Sequence, residues 1–282
     1  MPSTILLSTD DHARDSAGMT YVYPVVSRRA GGVSVGINLN PNNACNWRCI
    51  YCQVPGLVRG GPPAIDLSRL EAELEAMLDD ILGGRFLENR VPADRRRLVD
   101  VAFSGNGEPT SAREFPVAVA IAATALARRR LAGRVRLRLI TNGSLLDRGY
   151  VREGIARIGA MNGEVWFKLD AGTSEGMRRI NGVGPSLATV ERRLAACAGL
   201  CETWVQTCVF ALDGQPPTEA DIEALIGSLA RVGPAITGVH LYGLARPSAQ
   251  RESPRLAALP AGWLDELAER MKRKGLTVLV SP

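Results

Sequence analysis

Val33-Ser34-Val35-Gly36-Ile37-Asn38-Leu39 runs straight into Asn40-Pro41-Asn42-Asn43-Ala44-Cys45-Asn46-Trp47-Arg48-Cys49-Ile50-Tyr51-Cys52. The opening residues, with Val33, Val35, Ile37 and Leu39, are strand-like. The residues after them are polar, rich in Asn and crowded with thiols. A strand that empties into a polar, chemically active loop is the repeating unit of parallel α/β folds, whose sites lie at the C-terminal ends of their strands.

Reading outward, the same unit recurs. Strand patterns at 98–103, 135–140, 164–169, 203–210 and 236–242 alternate with helical patterns at 67–82, 115–131, 147–158, 187–200, 218–232 and 260–274. The helix at 67–82 carries Leu67, Leu70, Leu74, Met77, Leu78 and Ile81 on one face, with Asp66 as its N-cap and Gly83-Gly84 as its stop. Six strand-then-helix units in series imply parallel strands joined by right-handed crossovers. A full barrel of this kind needs eight. The candidates are therefore an open doubly wound sheet or a barrel, complete or partial. Residues 21–26 form an extra extended segment before the first unit, and 276–280 add a last short strand.

Composition agrees with such a domain. The chain has 282 residues, of which 46% are hydrophobic and 22% charged, enough to bury a core. No apolar stretch reaches the roughly 18–20 residues of a membrane span. The N-terminus lacks the basic and apolar regions of a secretory signal, so a cytoplasmic location with reduced cysteines is expected. The net charge of +5 is modest, and the Arg-rich runs at 95–97, 128–130 and 272–274 fit solvated faces better than a nucleic-acid surface.

The six cysteines are too few for a disulfide scaffold in a chain this long. Cys45, Cys49 and Cys52 can hold three irons of a [4Fe–4S] cluster and leave the fourth open to a ligand. A structural zinc site normally wants four ligands, and neither His12 nor His240 is near in sequence, but three cysteines with a distant fourth ligand remain an alternative. Cys197 and Cys201 lie on and at the end of a largely apolar helix face, which suits buried thiols or, alternatively, a second cluster. Cys208 and Tyr242 bear X–H bonds weak enough to return a hydrogen atom to a radical, or simply pack. His240 shares a strand face with Tyr242. Arg246, after the sixth strand, offers a planar fork for a carboxylate or phosphate, or lies at the surface.

The Cys-x3-Cys-x2-Cys spacing, with Tyr51 just before the last cysteine, resembles the radical S-adenosylmethionine (SAM) superfamily. That resemblance implies a partial (βα)6 TIM-like barrel of parallel strands at about 33–245, with an N-terminal extension (1–32) and a C-terminal helix and strand (246–282). It implies two cofactors, a [4Fe–4S] cluster on Cys45, Cys49 and Cys52 and SAM. Ser104-Gly105-Asn106-Gly107-Glu108-Pro109 is similar to the family's Gly-Gly-Glu-Pro motif for the methionine amino group, with Asn106 inserted. Thr141-Asn142-Gly143 resembles its Thr-Asn-Gly. Lys168 and Asp170 supply the polar groups expected near the methionine carboxylate and the ribose. Gln206 on the fifth strand and Tyr51 complete the expected cofactor contacts. Glu108 has a competing role as a brace for its own loop.

The implied activity is reductive cleavage of SAM to a 5′-deoxyadenosyl radical that abstracts hydrogen from a substrate, small or macromolecular. An electron donor such as flavodoxin or ferredoxin is the expected partner. Ile37-Asn38-Leu39, Cys49-Ile50-Tyr51-Cys52-Gln53 and Phe167-Lys168-Leu169-Asp170 look like a bacterial branch grouped with the wyosine-forming tRNA enzymes, a likeness that carries no tRNA substrate with it. An activase forming a glycyl radical on a partner protein and a tRNA-modifying enzyme are the alternative readings. A non-catalytic electron carrier is disfavoured, since it needs neither an open iron nor the Gly-Glu-Pro loop.

Overall fold

The computed structural model describes residues 6–7, 18–27 and 30–281, so His12 and part of the expected N-terminal extension lie outside the described residues. One sheet organises the chain. Its strands are β1 (Val22–Ser27), β2 (Gly32–Ile37), β3 (Leu98–Phe103), β4 (Arg136–Thr141), β5 (Glu164–Lys168), β6 (Glu202–Cys208), β7 (Gly238–Tyr242) and β8 (Val278–Ser281). They lie side by side in chain order, with β1 and β8 at the two edges. β1 and β2 run antiparallel, Val22 opposite Ile37, and every later pair is parallel. The result is a curled half-barrel of parallel strands. The extended segment expected at 21–26 is the added edge strand, and the closing strand continues the sheet beside β7.

Helices α1 (Leu67–Gly83), α2 (Phe86–Arg90), α3 (Phe115–Arg128), α4 (Gly149–Ala160), α5 (Ser174–Asn181), α6 (Leu187–Ala198), α7 (Glu219–Val232) and α8 (Ala261–Lys272) complete the units. α1 starts where Asp66 accepts the Arg69 amide at 3.0 Å and buries Leu70, Leu74, Met77, Leu78 and Ile81. This satisfies an orphan donor of the first turn and turns the apolar stripe inward. The apolar outer face of the sheet and the inner faces of the helices share one continuous core that includes Ile37, Phe103, Phe115, Leu139 and Phe167. α2 and α5 escaped the sequence reading. α5 has eight residues and buries only Gly176, Met177 and Asn181, too few for a periodic apolar signal.

The basic runs are taken up at the surface: Arg129 pairs with Glu75 and Asp79, Arg95 with Asp94, and Lys272 with Glu269. No helix among the described residues is long and apolar enough to cross a membrane.

Candidate functional site

The loops that follow β2, β3, β4 and β7 meet the last residues of β5 and β6, Lys168 and Cys208, around a cavity of about 330 Å³. Cys45, Cys49 and Cys52 line it, as does every other residue the sequence singled out for the cofactor except Asp170. The three thiols are half-buried. Burial pushes the Cys45 thiol up to about 11 and the Cys49 thiol up to about 12. Among the described residues no three His, Cys, Asp or Glu side chains converge as a single ion requires. Three thiols on one loop, all lining one cavity, suit a cluster, which takes each thiolate on a different iron.

The cysteine loop is built by its asparagines. Asn38 Oδ1 accepts the backbone N–H of Asn40 at 3.0 Å and of Asn106 at 3.1 Å. Asn40 Nδ2 donates to the Ala44 carbonyl at 2.9 Å, and Asn106 Nδ2 to Asn43 Oδ1 at 2.6 Å. Asn106, the residue inserted in the Gly-Glu-Pro loop, thus stitches that loop to the cysteine loop. Gly107 permits the approach, because a Cβ there would sit 2.1 Å from the Ala44 carbonyl.

Glu108 is 2% exposed and ties two strand ends together. Its Oε1 accepts from the Thr110 amide (3.1 Å), Thr110 Oγ1 (2.6 Å) and Thr141 Oγ1 (2.6 Å), and its Oε2 from the Asn142 amide (2.7 Å). Burial drives its pKa up against the pull of these donors. The bracing role is therefore structurally satisfied in full. Asn142 spends its side chain on Asn46 Oδ1 (2.8 Å) and the Ser144 amide (3.0 Å), and Ser104 Oγ bonds Tyr23 Oη at 2.8 Å.

On the facing wall, Lys168 Nζ donates to Tyr242 Oη at 3.1 Å and lies 4.9 Å over the Tyr51 ring. Burial works against its charge, but neighbouring Tyr242 and Asp170 outweigh that, and its pKa is raised. Gln206, opposite Lys168 in the register of β5 and β6, is 1% exposed, and its Nε2 has no hydrogen-bond partner. A buried donor left unpaired costs free energy that a ligand oxygen recovers. The cavity thus presents an ammonium and an amide donor side by side, an arrangement fit for a carboxylate. Asp170 lies behind this wall. Its Oδ2 accepts from Tyr51 Oη (2.5 Å) and Asn181 Nδ2 (2.7 Å), and its Oδ1 from the Cys208 amide (3.0 Å).

Arg138, Trp166 and Ser34 line the cavity's inner end. His240 packs against Trp166 and Trp204 with its ring tilted to both, at 4.6 and 4.7 Å between centroids. Cys208 lines the cavity, as do Tyr242 and Arg246. Cys197 and Cys201 are buried in the main core, bonded to Thr203 and to the Gly163 carbonyl, and do not line it.

Two sets of contacts went unread in the sequence. Ser248 Oγ lies 2.7 Å from the Ile50 carbonyl and 3.1 Å from that of Cys52, with one proton for the two, and Gln250 Nε2 donates to the Val54 carbonyl (2.9 Å), so the segment after β7 straps the cysteine loop. Asn181 Nδ2 reaches Cys49 Sγ at 3.2 Å. These contacts join residues more than a hundred positions apart, and no local pattern marks them.

A model of the Radical SAM superfamily matches residues 39–229. No curated protein matches the chain. Among solved structures it is similar to Streptococcus suis SuiB bound to S-adenosylmethionine, with a TM-score of 0.56 at 12% identity, over 87% of this chain and 49% of that one. It is also similar to a radical SAM methyltransferase from Sphaerobacter thermophilus, with a TM-score of 0.55 at 13% identity, over 92% of this chain and 68% of that one. Likeness at such identity extends to the fold alone. The chain spans about half the length of SuiB.

Proposed function

The chain belongs to the radical SAM superfamily, and from that premise we propose that it carries a [4Fe–4S] cluster on Cys45, Cys49 and Cys52 and uses it to cleave SAM reductively. Bound there, cluster and SAM supply a 5′-deoxyadenosyl radical for hydrogen abstraction. The observation that carries this reading is the shared cavity. Three thiols on one loop line the same space as Gln206, whose buried Nε2 has no hydrogen-bond partner.

The chain's own groups divide the remaining work. The cysteines supply the thiolates. Lys168 and Gln206 meet the methionine carboxylate as donors, which pairs the amide and gives the ammonium an anion. Glu108 holds the Gly105–Gly107 loop against the end of β4, so that backbone carbonyls of that loop face the methionine amino group. Tyr51, Leu57 and Leu244 keep water from the reacting atoms. The hydrogen-bearing substrate and the low-potential electron donor, flavodoxin or ferredoxin in class, approach at the cavity mouth.

The test is anaerobic reconstitution followed by iron and sulfide analysis and product chromatography. The expected outcome is one cluster per chain, lost in the triple Cys45→Ala, Cys49→Ala, Cys52→Ala variant. Dithionite-reduced protein is expected to convert SAM slowly to 5′-deoxyadenosine and methionine. Retention of a full cluster by the triple variant would falsify the ligand assignment. S-adenosylhomocysteine as the sole product would replace the adenosyl-radical reading with methyl transfer.

A further inference from the structure

Asn181 is the last residue of α5 and is fully buried. Its amide makes two donations. One goes to Cys49 Sγ at 3.2 Å, the other to Asp170 Oδ2 at 2.7 Å. The second fixes the first. Asp170 is an acceptor-only carboxylate anchored by Tyr51 Oη and the Cys208 amide, so an Asn181 turned the other way would set oxygen against oxygen. The carboxylate therefore selects the amide orientation that aims the remaining N–H at sulfur.

The distance from Asn181 to Cys49 is also fixed by the backbone. Arg48 N–H donates to the Asn181 carbonyl at 3.0 Å, and Ile50 N–H to the Ile180 carbonyl at 2.9 Å. Cys49 is thus bracketed by bonds from both its neighbours onto the end of α5. The helix stops there on Gly182 in the left-handed region, φ +68°, and a Cβ on Gly182 would crowd the Arg48 carbonyl at 3.1 Å. The helix end and the cysteine loop therefore hold one fixed spacing.

We propose that Asn181 tunes the reduction potential of the cluster through an N–H···S bond to Cys49, with Asp170 as the positioning residue that orients it. This rests on the cluster assignment made above. Reduction adds negative charge to the cluster, and part of that charge resides on the ligand sulfurs. A donor aimed at one of them stabilises the reduced state more than the oxidised state and raises the potential. Asn181 does not line the cavity, and its contact with a cysteine of the loop is the bond to Cys49. The tuning sets how strong a reductant the cluster becomes and hence which electron donors can load it.

The experiment is an anaerobic redox titration of the reconstituted full chain, following the electron paramagnetic resonance of the reduced cluster. Wild type is compared with Asn181→Leu and Asn181→Ser, each checked for iron, sulfide and circular dichroism. In Asn181→Leu the ratio of reduced to oxidised cluster at the wild-type midpoint is expected to fall about tenfold, a shift of about 59 mV for one electron. Asn181→Ser, which keeps a shorter donor, is expected to fall between. An unchanged midpoint in Asn181→Leu with its cluster intact overturns the proposal, as does loss of the cluster from a folded variant, which would make Asn181 an assembly residue. Wild type labelled with 15N in its asparagine side chains supplies a measurement independent of any variant. Pulsed resonance of its reduced cluster should reveal coupling to a side-chain nitrogen, and its absence overturns the N–H···S bond. Failure of the cluster reading itself is distinguishable, because wild type would then hold no iron.

Discussion

Gln206 and Asp170 were both marked by the sequence as cofactor residues, and their surroundings separate them. Gln206 keeps a buried, unpaired donor on the cavity wall. Replacing it with Leu removes a ligand contact and also relieves an unsatisfied amide. The Gln206→Leu variant is expected to bind SAM about tenfold more weakly, about 1.4 kcal/mol, with no fall in thermal stability. Calorimetric titration of SAM and a melting curve on the same protein check both halves. Asp170 has the opposite profile, since three donors already converge on it. Asp170→Ala strands a phenol, an amide and a backbone N–H, and a loss of about 3 kcal/mol in denaturant unfolding is expected. Both side chains were legible as polar groups at strand ends. The side that Gln206 faces followed from alternation along β6, which puts it on the same face as Cys208; the side that Asp170 faces did not, because it lies beyond the end of β5, where alternation no longer applies.

Elements show a similar division between what patterns reveal and what long-range bonds add. α1 was legible in periodicity, cap and stop. Its Glu73, however, also receives β1, accepting from the amides of Thr20 (2.9 Å), Tyr21 (2.7 Å) and Val22 (3.3 Å) as well as from Arg69 Nε (2.8 Å). Burial alone would raise its pKa, but the three backbone donors and Arg69 overcome that, and it is lowered from 4.5. A depressed carboxyl pKa contributes stability that is present above the unfolded value and lost as pH falls through the folded one. Glu73→Gln is therefore expected to cost about 1–2 kcal/mol at neutral pH. The gap to wild type should shrink as pH drops below 4.5. Urea unfolding of both proteins across that range measures it. A gap that widened on acidification would overturn the assignment. α5 illustrates the reverse case, an element too short and polar to read from sequence whose C-terminal end nevertheless sets the cysteine loop.

For the molecule as a whole, the half-barrel interior is polar at its inner end. Arg138 on β4 bonds Asp100 on β3, and pairs with Glu164 on β5 at 2.5 Å. The side chains of all three are at most 10% exposed. Trp166 covers the guanidinium at 4.0 Å. Removing the cation alone leaves two buried carboxylates facing each other, so Arg138→Met is expected to destabilise the fold by about 3–5 kcal/mol. Replacing the whole trio by apolar residues of similar volume should restore most of that loss, because the desolvation of the ions disappears with them. Thermal unfolding of the single and triple variants tests both statements.

By itself the sequence determined the class of fold, the series of strand-and-helix units and the loop that carries the thiols, while the order of the strands in the sheet came from the tertiary structure. The first three properties are local. Apolar periodicity, caps and cysteine spacing are written in neighbouring residues, and serial βα units leave few ways to pair their strands. Only the tertiary structure decided which groups share the cavity. It turned Asp170 away from the wall, left Gln206 unpaired on it, set Asn181 against Cys49 and laid Ser248 and Gln250 across the cysteine loop. Each of these depends on the angle at which distant strand ends meet around a curled sheet, and that angle is set by the packing of the whole core rather than by any segment of chain.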